Sequence, residues 1–177
     1  MVSPALATPA AGAERTARAW DVLDTVLDPE VPALSLRDLG IVRDVRALGD
    51  GLEVVLTLTY SGCPATEIIE RDVIDALNVA GLGPVRVSMR RSPAWTTDWI
   101  SAAGRDKLRA YGIAPPGPVD ADAGVPIRIV GRRAASVACP RCGSASIERL
   151  SAFGATACKA LYRCLACREP FEHFKPI

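Results

Sequence analysis

Thr57-Leu58-Thr59-Tyr60-Ser61-Gly62-Cys63-Pro64-Ala65-Thr66-Glu67 joins two segments of different periodicity. Upstream, Leu52, Val54, Leu56 and Leu58 alternate with Glu53, Val55, Thr57 and Thr59, the period-2 pattern of a strand with one buried face. Downstream, Ile69, Val73, Ala76, Leu77 and Ala80 recur at helical spacing. The stretch therefore reads as strand, tight turn, helix. Gly62 permits the turn, and Pro64 suits a first helical position, where its missing N–H would be unpaired anyway. Cys63 then stands at, or just before, a helix N-terminus. Free N–H groups and the helix dipole favour an anion there, which lowers a thiol pKa. The residues leave a second reading open, with Cys63 as a small buried hydrophobe in a turn.

Working outward, Arg15 to Leu27 reads as a helix with Trp20, Leu23 and Leu27 on one side. Pro29 and Pro32 stop it, because each biases the residue before it away from helix. Asp28-Pro29-Glu30 forms a turn carrying two carboxylates. These either line a polar pocket near Cys63, which Thr66 and Glu67 would join, or simply end the helix. Leu34 to Gly40 is a connection in which Asp38 either caps or orients neighbouring backbone or joins the same pocket. Ile41 to Ala47 is a short strand, joined to the Leu52–Thr59 strand by Leu48-Gly49-Asp50-Gly51. A helix from Pro64 to Ala80 ends at Gly81, and Val85, Val87 and Met89 alternate as a third strand. The order αββαβ predicts a small two-layer α+β domain.

A weaker helical pattern follows Ser92-Pro93-Ala94-Trp95 and runs to Ala110, with Trp99, Ala103 and Leu108 as buried positions and Gly104 as a weak point. Ala114-Pro115-Pro116-Gly117-Pro118 opens a semi-rigid linker. The predicted division is a disordered leader over 1–13, the α+β domain over 14–113, the linker over 114–131 and a last domain over 132–177.

That last domain carries the strongest motif. Cys139-Pro140-Arg141-Cys142 and Cys164-Leu165-Ala166-Cys167 are separated by 21 residues. Two such knuckles bring four thiolates into a tetrahedron, the arrangement of a structural zinc ribbon. A segment of about 40 residues builds too small a core to fold alone, so the metal supplies much of its stability. Iron, an iron–sulfur cluster or disulfides are the alternatives for these cysteines. A closed four-sulfur zinc site offers no position for water and argues against hydrolysis. Cys158 lies outside the tetrad and reads as a buried residue. His173, the one histidine, reads as a surface residue.

Composition narrows the classes. The net charge is +1, so no strong field toward nucleic acid or a membrane surface is expected. Residues 132–177 hold eight basic and three acidic residues, however, a local excess of +5. No apolar run is long enough to span a bilayer, and the Ala/Pro-rich start lacks the pattern of a signal peptide, which points to the cytoplasm. No nucleotide-binding glycine motif and no His-based triad is present, so the chain is not expected to be a catalyst.

Two sets of residues carry a family resemblance. Asp28-Pro29-Glu30-Val31-Pro32, Asp38-Leu39-Gly40-Ile41-Val42 and Gly62-Cys63-Pro64 resemble the iron–sulfur cluster assembly domain family, which includes SufT-type proteins. Ala157-Cys158-Lys159-Ala160-Leu161-Tyr162-Arg163-Cys164, with Cys167, Glu169-Pro170-Phe171 and Phe174-Lys175, narrows the match to the PaaD family, accessory components of phenylacetyl-CoA epoxidases. Many members carry a cysteine after the terminal Phe-Lys. Here Pro176 stands there, so no metal role falls on that end. The resemblance implies a maturation factor for a metal centre of that oxygenase, acting through Cys63 as a transient ligand or sulfur contact. Its partners would be other epoxidase components or iron–sulfur assembly proteins. The alternatives are a partner-binding subunit without a reactive Cys63, and an electron carrier built on the four C-terminal cysteines.

Overall fold

The computed structural model describes residues 9–59, 65–119 and 137–177. The chain divides into two compact units, one ending at Trp95 and the other running from Thr96 to Ile177.

The first unit has the predicted element order: α1 (Pro9–Leu23), β1 (Val42–Leu48), β2 (Gly51–Leu56), α2 (Thr66–Val79) and β3 (Val85–Met89). The strands lie in the order β1-β2-β3, with β1/β2 antiparallel and β2/β3 parallel. A hairpin suffices for the first pair, whereas the parallel pair needs a crossover, which α2 supplies. The two helices pack on each other, α1 also on β1 and α2 also on β3. Leu52, Val54 and Leu56 of β2, Leu23 of α1, and Ile69, Val73 and Leu77 of α2 are buried. The helical pattern of α2 is thus its inner face, and Leu52, Val54 and Leu56 are the inner face of β2. The other face of that strand is not open as expected: Val55 and Thr57 are buried too, because β2 is the central strand, while Leu58 is only half-buried. Gly51 is required by a close approach: a Cβ there would collide with the Pro84 carbonyl, which accepts from the Leu52 N–H at 2.9 Å.

Several boundaries differ from expectation. Pro9–Ala13, expected within a disordered leader, already belongs to α1, where proline at a first helical position and alanine are both well tolerated. The helix stops at Leu23 rather than Leu27. Leu27 is 48% exposed and forms an isolated bridge with Ser35, while Val26 is buried instead. β2 ends at Leu56 rather than Thr59.

The second unit begins with a 3-10 turn (Thr97–Trp99) and continues through α3 (Ala102–Tyr111), β4 (Ile113–Ala114), β5 (Ile147–Ser151), β6 (Lys159–Cys164) and β7 (Pro170–Phe174). Its sheet has the order β4-β7-β6-β5, with β4 parallel to β7 and the other pairs antiparallel. The expected domain boundary after residue 113 is therefore displaced. Residues 96–114 belong with the ribbon because Ile113 and Ala114 add an edge strand to it. Proline and glycine composition marked a linker but could not show that the residues just before it cross into the other unit. On α3, Leu108 is buried as expected, Ala103 is exposed, and Gly104 lies on the buried side. The helix is capped at both ends: Ser101 Oγ accepts from the Gly104 N–H at 2.8 Å, and Gly112 closes it in the left-handed region at φ 95°. No helix among the described residues is long and apolar enough to cross a membrane.

Candidate metal centre and the Cys63 region

The ribbon strands bring four cysteines together. Cys139 and Cys142 lie on the turn before β5, Cys164 ends β6, and Cys167 lies on the turn into β7. Their sulfurs all fall within 4.8 Å of one another. Cys139 Sγ is 3.7 Å from Cys167 Sγ, and Cys142 Sγ is 3.5 Å from Cys164 Sγ. Four thiolates bonded to one zinc ion at its usual bond length would stand about 3.8 Å apart along each tetrahedral edge. The donor set and spacing thus fit a single metal ion. An iron–sulfur cluster distributes its thiolates over several irons and spreads them further.

Each knuckle is shaped by a residue in the left-handed region directly after its second cysteine: Gly143 at φ 75° and Arg168 at φ 68°. Glycine takes that conformation without cost, so the first is legible in the sequence; the arginine is not. The Gly143 N–H donates to Cys139 O at 2.9 Å, and the Cys167 N–H lies 3.5 Å from Cys164 Sγ. This backbone hydrogen bond is the main cause that holds the Cys164 thiol down at about 6. The Glu169 amide acts in the same sense on Cys167, but burial and the other three thiols outweigh it and push that thiol up to about 12. Four sulfurs this close share protons until a cation replaces them, so metal binding releases protons. Behind the tetrad, Cys139, Cys164, Ala114 and Phe171 form a small core, flanked by Val137, Ile147 and Tyr162.

Three features of the ribbon escaped sequence reading. The Lys159 ammonium is buried and paired with Glu172 at 2.8 Å, and Glu172 also accepts from the Ala155 N–H at 2.7 Å. Arg163 pairs with Glu148. Both cations that follow Cys158 on β6 are thus engaged by carboxylates. Cys158 is buried, and its sulfur lies 2.9 Å from Thr156 Oγ1. His173, expected on the surface, is only 4% exposed, its ring edge-on to Tyr162. Period-2 alternation with Phe171 puts it on the inner face of β7, a signal that could have been read.

Burial pushes the His173 pKa down from 6.5 to about 4, and among the described residues its Nε2 has no hydrogen-bond partner. The folded state therefore needs the neutral ring. Its contribution to stability is complete above the unfolded value of 6.5 and is lost as pH falls from 6.5 toward 4. Between pH 7 and 5 this amounts to about 1–2 kcal/mol. His173→Leu should lose less stability than the unaltered chain over that interval, measured as paired denaturant midpoints. Equal losses would show that the histidine is not held neutral.

Cys63 lies outside the described residues, so its surroundings are known only from either side. On the strand side, the Thr57 N–H donates to Ile41 O at 2.9 Å and the Arg90 N–H to Leu56 O at 2.7 Å, fixing the end of β2 against both neighbours. On the other side α2 begins at Thr66, after Ala65, which offers no side-chain cap. Thr66 is half-buried and Glu67 exposed in the first helical turn. Asp28, Glu30 and Asp38 share the loop between α1 and β1. Asp28 Oδ1 accepts from the Glu30 and Val31 N–H groups at 3.0 and 2.7 Å, and Asp38 and Ser35 exchange reciprocal bonds at 3.2 and 3.0 Å. Both aspartates are nearly buried and build the turns of this loop, as Asx and capping-box residues do. The Trp95 indole N–H ties the loop down by donating to Leu39 O at 2.9 Å.

Comparison with known proteins follows the same division. The iron–sulfur cluster assembly protein family matches residues 16–89, and the PaaD zinc beta ribbon domain matches residues 125–175. A Bacillus anthracis crystal structure, a domain of unknown function DUF59, superposes with a TM-score of 0.53 at 26% identity, covering 57% of this chain and 97% of that one. The fold and the cysteine cluster define a protein with an iron–sulfur-assembly domain followed by a metal-binding zinc ribbon. The chain belongs to the PaaD family: it is 46% identical over 158 residues to the putative D component of the 1,2-phenylacetyl-CoA epoxidase of Escherichia coli strain K12, covering 89% of this chain and 91% of that protein. The chain is also 37% identical over 82 residues to an Fe-S protein maturation auxiliary factor of Porphyromonas gingivalis, covering 45% of this chain and 77% of that protein.

Proposed function

We propose that this chain is an accessory subunit of a phenylacetyl-CoA epoxidase system and that it assists assembly of an iron–sulfur or iron centre in one of that enzyme's components. The observation that carries the reading is the near end-to-end likeness to the E. coli epoxidase component, combined with a first unit that resembles a maturation factor for Fe-S proteins. On this reading Cys63 receives iron or sulfur briefly. One thiolate with carboxylates nearby binds more weakly than a four-cysteine cage, and so can release its cargo. The four ribbon cysteines hold a resident zinc whose role is structural, and the basic ribbon engages a protein partner. Cytoplasmic location follows from the reduced thiols such a site needs.

The test is the metal content of the client. Epoxidase components purified from a strain lacking this chain should hold substoichiometric iron and acid-labile sulfide, restored when the chain is supplied in trans. Full metal content in its absence would refute the maturation role. A partner-binding subunit is the second reading, favoured by the turn-building duties of Asp28 and Asp38. It predicts fully metallated components that fail to assemble.

A further inference from the structure

The segment Thr96–Ala114 lies upstream of the stretch that matches the zinc beta ribbon, yet it is fastened to the ribbon at several points. At its start, the buried Thr97 donates its N–H to Ile177 O at 3.1 Å, just beyond β7. In its middle, the Arg105 guanidinium donates to Thr97 O at 2.8 Å and to Pro116 O at 2.6 Å, tying the start of the segment to the residues just past its end. At its end, Ile113 and Ala114 pair in parallel with Glu172 and His173 of β7. Ala114 is 1% exposed and packs in the small core that contains Cys139 and Cys164. The last link comes from the first knuckle itself. Arg141, between Cys139 and Cys142, lies over Gly112 at the C-terminus of α3, so that a Cβ on Gly112 would stand 3.4 Å from Arg141 Nη2. A cation at that helix end is favoured by the dipole.

We infer that seating of this α3–β4 segment and metal binding at Cys139, Cys142, Cys164 and Cys167 are one coupled event, so the metal-holding unit of the protein is residues 96–177 rather than the ribbon alone. The physical basis is the size of the core. The ribbon strands enclose only a few buried apolar groups, and without a metal to tie the knuckles, β6 and β7 lack the burial to remain paired. β4 then has no strand to dock on, and Arg141 no fixed place over α3. Linkage works in both directions: whatever favours the seated segment raises metal affinity by the same factor.

Hydrogen exchange on the full chain, read by mass spectrometry with zinc bound and after chelation, tests this directly. On zinc removal, peptides covering 102–116 should lose protection together with those covering 159–174, and both should recover on zinc addition. Peptides from β1 and β2 serve as the unaffected reference. Loss confined to 159–174, or in neither region, overturns the coupling. Gly112→Val places a β-branched residue at φ 95° against Arg141 and should weaken zinc binding about tenfold in competition with a chromophoric chelator. Unchanged affinity in the folded variant also overturns it. Should the variant fail to fold, the exchange pattern of the unaltered chain decides.

Discussion

Cys164→Ser is expected to strip the metal from the chain and unfold the Thr96–Ile177 unit. Cys164 is fully buried, ends β6, and belongs to the same small core as Cys139, Ala114 and Phe171. Its sulfur stands 3.5 Å from that of Cys142, and it receives the Cys167 N–H. Serine offers an alcohol that does not ionise near neutral pH, so one of the four anionic ligands disappears. Structural zinc sites bind with apparent free energies of about 10–16 kcal/mol in small peptides. Losing a ligand from such a site removes on the order of several kcal/mol, a large share of the roughly 5–15 kcal/mol that holds a domain together. Elemental analysis should fall from one metal per chain to near zero, and the thermal transition of the ribbon should vanish while that of the first unit persists. Cys158→Ser is the control. That sulfur contacts Thr156 outside the tetrad, so metal content should stay at one per chain. A Cys164→Ser protein that keeps its metal and its melting point would contradict the assignment of the site.

Cys63→Ser is expected to give the opposite pattern: a folded, metallated protein without function. Serine is close to cysteine in size, and the exchange leaves the four ribbon cysteines in place, so fold and metal content should both persist. What changes is the chemistry. A hydroxyl neither ionises near neutrality nor holds iron or sulfide as a thiolate does. In a strain lacking the native gene, the variant should express solubly at the unaltered level yet abolish growth on phenylacetate. Iron and acid-labile sulfide in the epoxidase components should fall with it. A soluble Cys63→Ser chain that supports full growth would remove Cys63 from the function and leave the partner-binding subunit as the better account.

The two predictions differ because the two cysteine sites were legible to different depths. The ribbon site is written in paired spacings: two cysteines three positions apart, repeated 21 residues later, define a tetrahedron whatever the intervening loop does. Local backbone geometry makes each knuckle, and a metal ion would join them. For Asp28 and Asp38 the sequence left two roles open, and the structure gives each a set of backbone hydrogen bonds. Whether a carboxylate lines a pocket or caps a turn depends on which backbone amides face it. Those amides belong to Glu30, Val31 and Ser35, whose placement follows from the whole loop.

Short range and periodicity thus encode the αββαβ order, the inner residues of β2, the buried stripe of α2 and the four-cysteine cluster. What only the tertiary structure decided are the contacts between residues far apart in the chain. Ile113 and Ala114 carry no mark that they pair with Glu172 and His173, far along the chain, because a two-residue edge strand has too few side chains to show a period. Arg168 does not announce a left-handed turn, and Lys159 gives no sign that it will be buried against Glu172. Burying an ammonium is unfavourable for the residue alone, and it is the Glu172 carboxylate on the neighbouring strand, thirteen positions further along, that offsets the cost.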